Sequence, residues 1–442
     1  MAEQMKPSGI DWIGDIPESW KVKPLKYLAK CNQDVLLETT APDYSFRYVD
    51  IGSVTYENGI TEYQELRFED SPSRARRRVS VGDTIISTVR TYLKAIAIIS
   101  DSENVIVSTG FAVYTPDKAI YPRYLYYFCK SEGFVQEIDK NSYGIAYPAI
   151  NTDLLSRICI AYPCYEDQQA IADFLDKECA KIDSIAADLE KQIALLQQYK
   201  KSLITETVTK GLDKSVPMKD SGVEWIGKIP AHWDFKRLKF MLENSSDSMK
   251  VGPFGSALSG SDFTDEGKWV YNQRVVLDNN FSENTTFVSE EKFQEMRSFA
   301  VYPGDILITT RGTIGKVAIV PEGANEGILH PCIIKFRVDK EMIIPELLQL
   351  IFNESDFVKD QFTLMSNATT IEVIYSYSLK DILLPVIPAD EQEKIYGYLS
   401  KKCIAIDGII AEKQKALATI TNHKKSLIYE YVTGKKRVKE VQ

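Results

Sequence analysis

The side chains best suited to binding chemistry are basic residues gathered in the first half of the chain. Residues 74–94 contain six bases and a single acid, Asp83. Arginine neutralises phosphates, and it can also read guanine through two hydrogen bonds in the major groove. The sequence therefore predicts a DNA contact surface made of Arg74, Arg76, Arg77, Arg78, Arg90, Tyr92 and Lys94. A solvated charged loop and ordinary exposure along a strand are the alternatives.

A glycine-rich stretch, residues 252–256, is the matching candidate in the second half. Glycine lets a backbone lie close to a phosphate or a base edge, although a plain turn has the same composition. Two later polar loops, at 142–144 and 367–370, are also predicted to reach bases. These segments and their neighbours supply the remaining predicted contacts: Tyr143, Gly252, Phe254, Gly255, Ser256, Arg274, Arg311, Thr313, Lys316 and Thr369.

The sequence shows no recognisable catalytic or metal-binding set. Residues 311–317 approach a phosphate-binding loop, but the four-residue gap before Gly-Lys is missing. Val317 also stands where such a loop needs Ser or Thr for magnesium. The three histidines, His232, His330 and His423, are far apart and follow no metal-ligand spacing. We therefore predict a chain without catalytic residues, metal or cofactor. An active site spanning both halves is the alternative.

The chain consists of two tandem copies of one plan. Residues 5–28 match 218–240, residues 80–90 match 302–312, and residues 168–209 match 392–433. Trp12 and Trp225 recur beside Ile-Pro and are predicted to anchor the core. The repeated Gly-Asp pairs at 82–83 and 304–305 are predicted to form turns. Because the framework recurs while the bodies between differ, we expect a fixed scaffold that displays two different binding surfaces.

Each copy ends in a long helical segment. Residues 167–209 contain no proline or glycine, and apolar residues recur at every seventh position. The pattern predicts two helices of about 60 Å that pair antiparallel as a coiled coil. The residues predicted to form this scaffold are Ile182, Ile185, Leu189, Leu196, Leu203, Ile406, Ile409, Ile420 and Leu427. Two amphipathic helices, each packed on its own domain, are the alternative.

The composition is that of a soluble, cytoplasmic protein. Hydrophobic residues make up 44% and charged residues 26% of the 442 residues. The seven cysteines form no C-x-x-C pair, which favours reduced thiols, and neither a signal peptide nor a membrane span is predicted. The net charge of −9 argues against DNA binding, but total charge does not determine the local potential.

The predicted fold class is α+β, with two tandem α/β recognition domains separated by two long antiparallel coiled-coil helices in a pseudo-two-fold internal repeat. The predicted boundaries are 1–165 for the first recognition domain and 166–213 for the first spacer helix. The second recognition domain is placed at 214–388, and the second spacer helix with a basic tail at 389–442.

Together these features resemble the specificity subunit of type I restriction-modification systems, and the resemblance covers nearly the whole chain. It rests on WIGDIP from Trp12, WIGKIP from Trp225, the stretch from Pro72 to Arg90 and VGPFGSALS from Val251. It rests also on P-x-x-E-x-Q-like helix openings at 163–168 and 388–392. The first opening carries one extra residue, a departure that could alter the hinge there.

The resemblance implies a non-catalytic, DNA-binding subunit. Its two target-recognition domains would each read half of a bipartite asymmetric site in double-stranded DNA, and its helices would act as a ruler for the spacer. Its partners would be two modification subunits that methylate adenine with S-adenosylmethionine. Two restriction subunits that use ATP and Mg²⁺ could join them. The chain lacks the N/D-P-P-Y/F motif of an adenine methyltransferase, which agrees with this role.

A structural adaptor with two protein-binding domains on a coiled-coil spacer is the rival function, and the acidic net charge favours it. Salt dependence distinguishes the two, because phosphate neutralisation makes affinity fall steeply with ionic strength. Replacing Arg76 to Arg78 with alanine is expected to weaken DNA binding while leaving folding and assembly intact. The target bases and the spacer length are not readable from the sequence.

Overall fold

The computed structural model describes residues 4–224, 226–254, 257–366 and 373–438. The chain forms two compact units. Unit 1 comprises Met1–Glu190 with Lys415–Gln442, and unit 2 comprises Lys191–Gln414. Both long helices are shared between the units. The compact units include parts of both helices, whereas the predicted boundaries at 165, 213 and 388 separate the helices from the recognition domains. Because the two divisions are defined differently, those boundaries stay a prediction.

Unit 1 contains two four-stranded sheets and three two-stranded pairs. Its strands are, in chain order, β1 (Met5–Pro7), β2 (Asp15–Pro17), β3 (Lys21–Pro24), β4 (Ala29–Cys31), β5 (Ser45–Val49), β6 (Val54–Thr55), β7 (Gly59–Ile60), β8 (Gln64–Arg67), β9 (Ala75–Arg78), β10 (Thr84–Ser87), β11 (Ile96–Ile98), β12 (Val105–Ser108), β13 (Phe111–Pro116) and β14 (Cys159–Tyr162).

The two larger sheets of unit 1 enclose an apolar core. One has the order β11-β10-β13-β4 and is antiparallel throughout. The other has the order β8-β5-β12-β9, in which β5 and β12 run parallel. Every residue of strands β10 and β12 is buried, which explains why neither strand shows the alternation of polar and apolar residues typical of a half-exposed strand. Ile85, Val107 and Phe111 lie in one core cluster and join the sheets.

Unit 2 repeats this arrangement. Its strands are β15 (Met218–Asp220), β16 (Lys228–Pro230), β17 (Asp234–Arg237), β18 (Met249–Val251), β19 (Phe263–Thr264), β20 (Lys268–Tyr271), β21 (Phe287–Val288), β22 (Ala300–Val301), β23 (Ile306–Thr309), β24 (Val317–Ile319), β25 (Gly327–Leu329), β26 (Ile333–Phe336) and β27 (Leu383–Val386).

The sheet orders show that the duplication extends into the bodies whose sequences differ. The order β24-β23-β26-β18 in unit 2 corresponds to β11-β10-β13-β4 in unit 1. The second sheet, β19-β21-β20-β25-β22, again contains one parallel pair, β20 with β25. The terminal pairs β15–β16 and β17–β27 correspond to β1–β2 and β3–β14. The two units therefore share a core topology, to which unit 1 adds the β6–β7 pair and unit 2 adds a fifth strand, β19, in its second sheet.

Ten α-helices complete the described part of the chain. They are α1 (Pro122–Lys130), α2 (Glu132–Lys140), α3 (Thr152–Arg157), α4 (Tyr165–Lys210), α5 (Gln273–Leu277), α6 (Glu290–Glu295), α7 (Pro345–Glu354), α8 (Phe357–Ser366), α9 (Ser376–Lys380) and α10 (Ala389–Val432). None of those described helices combines the length and apolarity that crossing a membrane would require. Each of the seven cysteines is unpaired.

The long helices α4 and α10 run antiparallel where they meet inside each unit. In unit 1, Lys424 of α10 binds Asp183 of α4 at 2.6 Å. In unit 2, Lys200 of α4 binds Asp407 of α10 at 2.8 Å. Helix α4 has 46 residues, which corresponds to about 69 Å at 1.5 Å per residue. The antiparallel pairing predicted from the heptads is therefore present within both units.

The contact stripe of these helices differs in one row from the sequence prediction. The row through Ile182 faces the partner helix as predicted, but the second row follows it by four residues and runs through Ala186, not Ile185. Ile185 and Ile409 are 51% and 44% exposed and lie outside the stripe. The sequence prediction placed the second row three residues after the first, at the apolar residues Ile185 and Ile409, instead of four residues after it. The true row includes alanine, lysine and threonine, which hide its periodicity: Ala186, Ile193, Lys200 and Thr207 in α4, and Ile410, Leu417, Lys424 and Tyr431 in α10.

The repeated Gly-Asp turns bury an aspartate in each unit, but the two units neutralise it differently. Asp305 lies 3.1 Å from Lys335 and 2.5 Å from Arg337. Asp83 accepts the amide hydrogen of Ser80 at 2.8 Å and has no ion pair among the described residues. Burial raises the pKa of Asp83 above its ordinary value. The Gly-Asp pairs are turns, as predicted.

The two aspartates should respond oppositely to replacement by asparagine. Asp305→Asn should lower the free energy of unfolding by about 3 kcal/mol, because Lys335 is left buried without its carboxylate. Asp83→Asn should leave stability unchanged or raise it at pH 7, because the folded state disfavours the charged form of Asp83.

Urea unfolding of the full chain measures both effects. Any gain from Asp83→Asn should shrink as the pH falls, because protonation then removes the same charge from the unmodified chain. Equal destabilisation by the two variants would contradict this account.

Candidate nucleic-acid interface

The strongest candidate interface begins where β10 ends, in the segment here called the β10 loop (residues 88–95). Arg90 and Lys94 have φ angles of 52° and 49°, in the left-handed region. They flank a 3-10 turn at Thr91–Leu93. This backbone conformation costs a residue with a side chain about 1–2 kcal/mol, and such strain is concentrated at functional sites. The loop therefore holds two basic side chains in conformations that glycine would adopt more easily.

A second segment, here called the companion hairpin (residues 141–150), is joined to the β10 loop by backbone contacts. The amide of Ile150 donates to the carbonyl of Thr88 at 2.8 Å, and Val89 pairs with Ala149. Three predicted residues, Arg90, Tyr92 and Tyr143, thus lie on two joined segments, and all three are exposed.

The companion hairpin also adds an aromatic residue that the sequence analysis missed. The guanidinium of Arg90 lies 5.4 Å from the centre of the Tyr147 ring. This cation–π contact holds the arginine against an exposed aromatic face. A local signal was present, since Tyr143 and Tyr147 bracket a short glycine-containing turn, but only the fold brings that turn to Arg90.

Lys94 is tethered inside unit 1. Its ammonium lies 3.4 Å from a carboxylate oxygen of Glu132 and 5.8 Å from the centre of the Tyr56 ring. The other carboxylate oxygen of Glu132 lies 3.8 Å from Lys425 of α10. A phosphate would therefore compete with Glu132 for Lys94, whereas Arg90 has no carboxylate partner among the described residues.

The basic segment 74–78 divides into exposed and internally engaged arginines. It forms β9, the last strand of its sheet. Arg74 and Arg78 are exposed, whereas Arg76 binds Glu38 at 3.2 Å and lies 4.7 Å from the centre of the Phe68 ring. Arg77 is half-buried. Alanine at Arg76 or Arg77 would also remove internal contacts, so Arg74 and Arg78 are the cleaner positions for testing DNA contact.

Unit 2 contains an equivalent loop after β23, here called the β23 loop (residues 310–316). The amide of Ile374 donates to Thr310 at 2.9 Å, and Arg311 pairs with Val373, as Ile150 and Val89 do in unit 1. Glycines occupy the left-handed positions, with φ angles of 65° at Gly312 and 78° at Gly315. The two units therefore keep the same pairing of this loop with a later segment, although the loop has one residue fewer in unit 2. The left-handed residues are basic in unit 1 and glycine in unit 2.

The other predicted contacts of unit 2 vary in accessibility. Arg274, Arg311, Thr313 and Phe254 are exposed. The ammonium of Lys316 donates to the carbonyl of Asn353 at 2.6 Å, which occupies it internally. Gly252 is buried, and a side chain there would collide with the carbonyl oxygen of His330. The need for glycine at 252 is thus explained by the chain's own backbone. Three predicted contacts, Gly255, Ser256 and Thr369, lie outside the described residues.

The repeated tryptophans serve packing where they are described. Trp12 is half-buried, with its ring centre 5.7 Å from that of Phe128 and 6.3 Å from that of Tyr429. Trp20 and Trp233 are buried. Trp225, predicted as the counterpart of Trp12, lies outside the described residues. In the described ranges no group of histidine, cysteine and acidic residues is arranged to hold a metal ion.

The family model for the type I restriction modification DNA specificity domain matches residues 17–195 and 250–419. The chain belongs to this family. Its members are the non-catalytic DNA-recognition subunits of type I restriction-modification complexes, and they assemble with the partners of those complexes. The matched ranges include both candidate loops and most of both long helices.

Relatives and a solved structure agree with this assignment. The chain is 25% identical to the type I restriction enzyme MjaVIII specificity subunit of Methanocaldococcus jannaschii, over 77% of this chain and 76% of that protein. It is 20% identical to the EcoKI specificity subunit of Escherichia coli K12, over 95% of this chain and 90% of that protein. A chain from a solved structure concerning "complex assembly and conformational transition of the type I R-M system" has the same fold. Its TM-score is 0.72 at 20% identity, and the match covers 95% of this chain and 99% of that one.

Replacing Arg90 with glycine should separate folding from DNA binding in this specificity subunit. Glycine relieves the left-handed strain, and unit 2 carries glycine at the equivalent position, so the variant should be as stable as the unmodified chain. If Arg90 contacts one phosphate, the slope of log K against log salt concentration should flatten by about 0.9.

Asn104→Gly is the matched control, since Asn104 has a φ angle of 51° in the same unit and carries no charge. Fluorescence anisotropy with labelled duplex at several salt concentrations gives both slopes. An unchanged slope together with an unchanged affinity for Arg90→Gly would remove Arg90 from the interface, whereas a loss of affinity at an unchanged slope would indicate a contact to bases without one to phosphate.

Proposed function

We propose that each unit reads one half of a split, asymmetric site in double-stranded DNA, and that the chain places this site before partner enzymes. The observation that carries the proposal is the loop pairing that the two units share, with different side chains on the two loops. The β10 loop presents Arg90 and Tyr92, whereas the β23 loop presents Arg311 and Thr313. Since base readout depends on side-chain identity, equivalent loops with different residues would read different half-sites.

Charge distribution supports the proposal despite the acidic total. Residues 84–94 and 140–150 together contain Arg90, Lys94 and Lys140 and no acidic residue. Lys94 pairs with Glu132 and Lys140 with Glu137, which leaves Arg90 as the cation of this group without a carboxylate partner among the described residues. Phosphate attraction depends on this local excess and not on the net charge of −9. Membership of the specificity family also disfavours the adaptor that binds only proteins.

We further propose that the partners are two modification subunits, which methylate adenine with S-adenosylmethionine, and in some assemblies two restriction subunits that use ATP and Mg²⁺. The catalytic steps would be carried out entirely by those partners. This chain would recognise the DNA sequence and set the distance between the two half-sites. A complex that acts on cellular DNA would work in the cytoplasm.

Selection from a randomised duplex library tests the proposal. The chain, assembled with its modification subunits, should enrich two short fixed blocks around a constant gap. One contiguous block would contradict reading by two units. No enrichment at low salt would favour the adaptor.

The paired helices would set the gap between the two blocks. Inserting seven residues into α4 after Gln192 and seven into α10 after Lys413 preserves the heptad register of both helices, because these residues already meet across the pair at 2.5 Å. Each insertion adds about 10 Å of helix. At about 3.4 Å per base pair, the selected gap should lengthen by about three base pairs while both fixed blocks stay the same.

An insertion of seven residues in α4 alone is the control, since it offsets the heptads and should impair folding or selection. An unchanged gap in the double-insertion variant would show that the helices do not determine spacing.

A further inference from the structure

The companion hairpin of unit 1 presents an isoleucine that packing within unit 1 does not explain. Ile145 is fully exposed, with a relative accessible surface of 104%. The residues from Tyr143 to Tyr147 are all exposed, so the tip carries two tyrosines, an alanine and an isoleucine. Such a side chain gains from burial only if something outside unit 1 covers it.

The hairpin that carries Ile145 has a defined backbone. Tyr143 and Ala149 exchange two amide–carbonyl hydrogen bonds of 2.9 Å, which close the turn. Gly144 has a φ angle of 99°, and a side chain there would lie 3.1 Å from the carbonyl oxygen of Tyr147. The amide of Thr91 in the β10 loop donates to Pro148 at 3.3 Å. The tip is thus held beside Arg90 by bonds between residues 148–150 of the hairpin and the β10 loop.

The surroundings of the tip favour a nucleic acid as its occupant. Lys140 is the only charged residue between 140 and 150, so no carboxylate in this segment would repel phosphates. Arg90 and Tyr147 provide a cation and an aromatic face next to the apolar tip. Proteins that kink DNA insert isoleucine, leucine or phenylalanine between base pairs, with basic residues on the adjoining backbone.

We propose that Ile145 inserts between neighbouring base pairs of the half-site read by unit 1 and unstacks them. This inference rests on the proposed function and adds a mechanical step to it. A modified base must leave the stack before chemistry can reach it, and unstacking a nearby step lowers the cost of that extrusion. Tyr143 and Tyr147 would then cover the faces of the bases exposed by the opening.

The test uses the assembled complex and the split site recovered by library selection, with 2-aminopurine replacing one base at a time. The fluorescence of 2-aminopurine rises when its stacking is lost. The unmodified complex should raise it at one step inside the unit 1 half-site. Ile145→Ala should abolish that rise and weaken binding about tenfold, since most of one buried apolar side chain is removed. Any signal at the methylated adenine itself should remain in both complexes.

Two further variants make the result specific. Ile145→Leu keeps the apolar bulk and should retain the fluorescence rise. Val81→Ala removes similar bulk from an exposed β-branched residue at the other end of β10, 65% exposed, and should change neither binding nor fluorescence.

The outcomes separate this inference from the function beneath it. Tight binding without an Ile145-dependent rise would overturn the wedge and leave DNA reading intact. A loss of complex assembly in Ile145→Ala, measured without DNA, would show that the hairpin docks on a protein partner and would also overturn it. If the unmodified complex selected no split site, the proposed function itself would fail.

Discussion

The stripe along which α4 and α10 pack is the constraint on which both units depend. Every unit needs both helices, because neither α4 nor α10 lies within one unit. Within each unit, the spacing of four and three residues keeps the stripe facing the partner helix. At equivalent positions, Lys200 and Lys424 place a cation in this largely apolar stripe. Each of them pairs with an aspartate of the other helix, Asp407 or Asp183, so the two ion pairs favour the observed register within each unit.

The carboxylates that satisfy these lysines show how the duplicated copies diverged. Lys200 binds both Asp407 and Glu354, at 2.8 Å and 2.7 Å. Burial would lower the pKa of Lys200, but the hydrogen bonds that Lys200 donates to Asp407 and Glu354 hold it above its ordinary value. In unit 1 the last residue of α1, Lys130, lies near Lys424, whereas in unit 2 the last residue of α7, Glu354, binds Lys200. Lys424 therefore keeps one carboxylate partner, Asp183, where Lys200 has two.

Lys130 is accommodated by contacts that unit 2 does not share. It is buried, and its ammonium lies 5.3 Å from the centre of the Tyr56 ring and 3.4 Å from the carbonyl oxygen of Glu57. Tyr56 and Glu57 lie between β6 and β7, a two-stranded pair found in unit 1. Burial, reinforced by nearby Lys424, lowers the pKa of Lys130 to about 8. The lysine at the end of α1 thus accompanies the added β6–β7 pair in unit 1. In unit 2 the buried Asp305 likewise accompanies its ion-pair partners, Lys335 in β26 and Arg337 just after it.

Patterns that recur along the chain were predictable, and contacts between distant segments were not. The duplication, the long helices and their pairing followed from matching residues such as Ile182 and Ile406. The second helical row was misassigned because Lys200 and Thr207 break an apolar pattern that Ile185 imitates. Nothing local to Arg76 indicates that Glu38 and Phe68 engage it, since those residues lie on other segments. The same holds for Arg90 and Tyr147, which are 57 residues apart and meet only because Ile150 pairs with Thr88.

The strained β10 loop explains why the basic residues among the predicted contacts should contribute differently to DNA recognition. A folded chain can place arginine on a surface at no conformational cost, as at Arg74 and Arg78, and such residues are free to adapt to any phosphate. Arg90 adopts a left-handed backbone, and its guanidinium lies 5.4 Å from the centre of the Tyr147 ring, which favours one orientation of the side chain. Orientation is what base reading and insertion of a neighbouring side chain require, whereas general attraction to phosphate does not. We therefore expect Arg90 to serve sequence reading, and the exposed Arg74 and Arg78 to serve general attraction to phosphate.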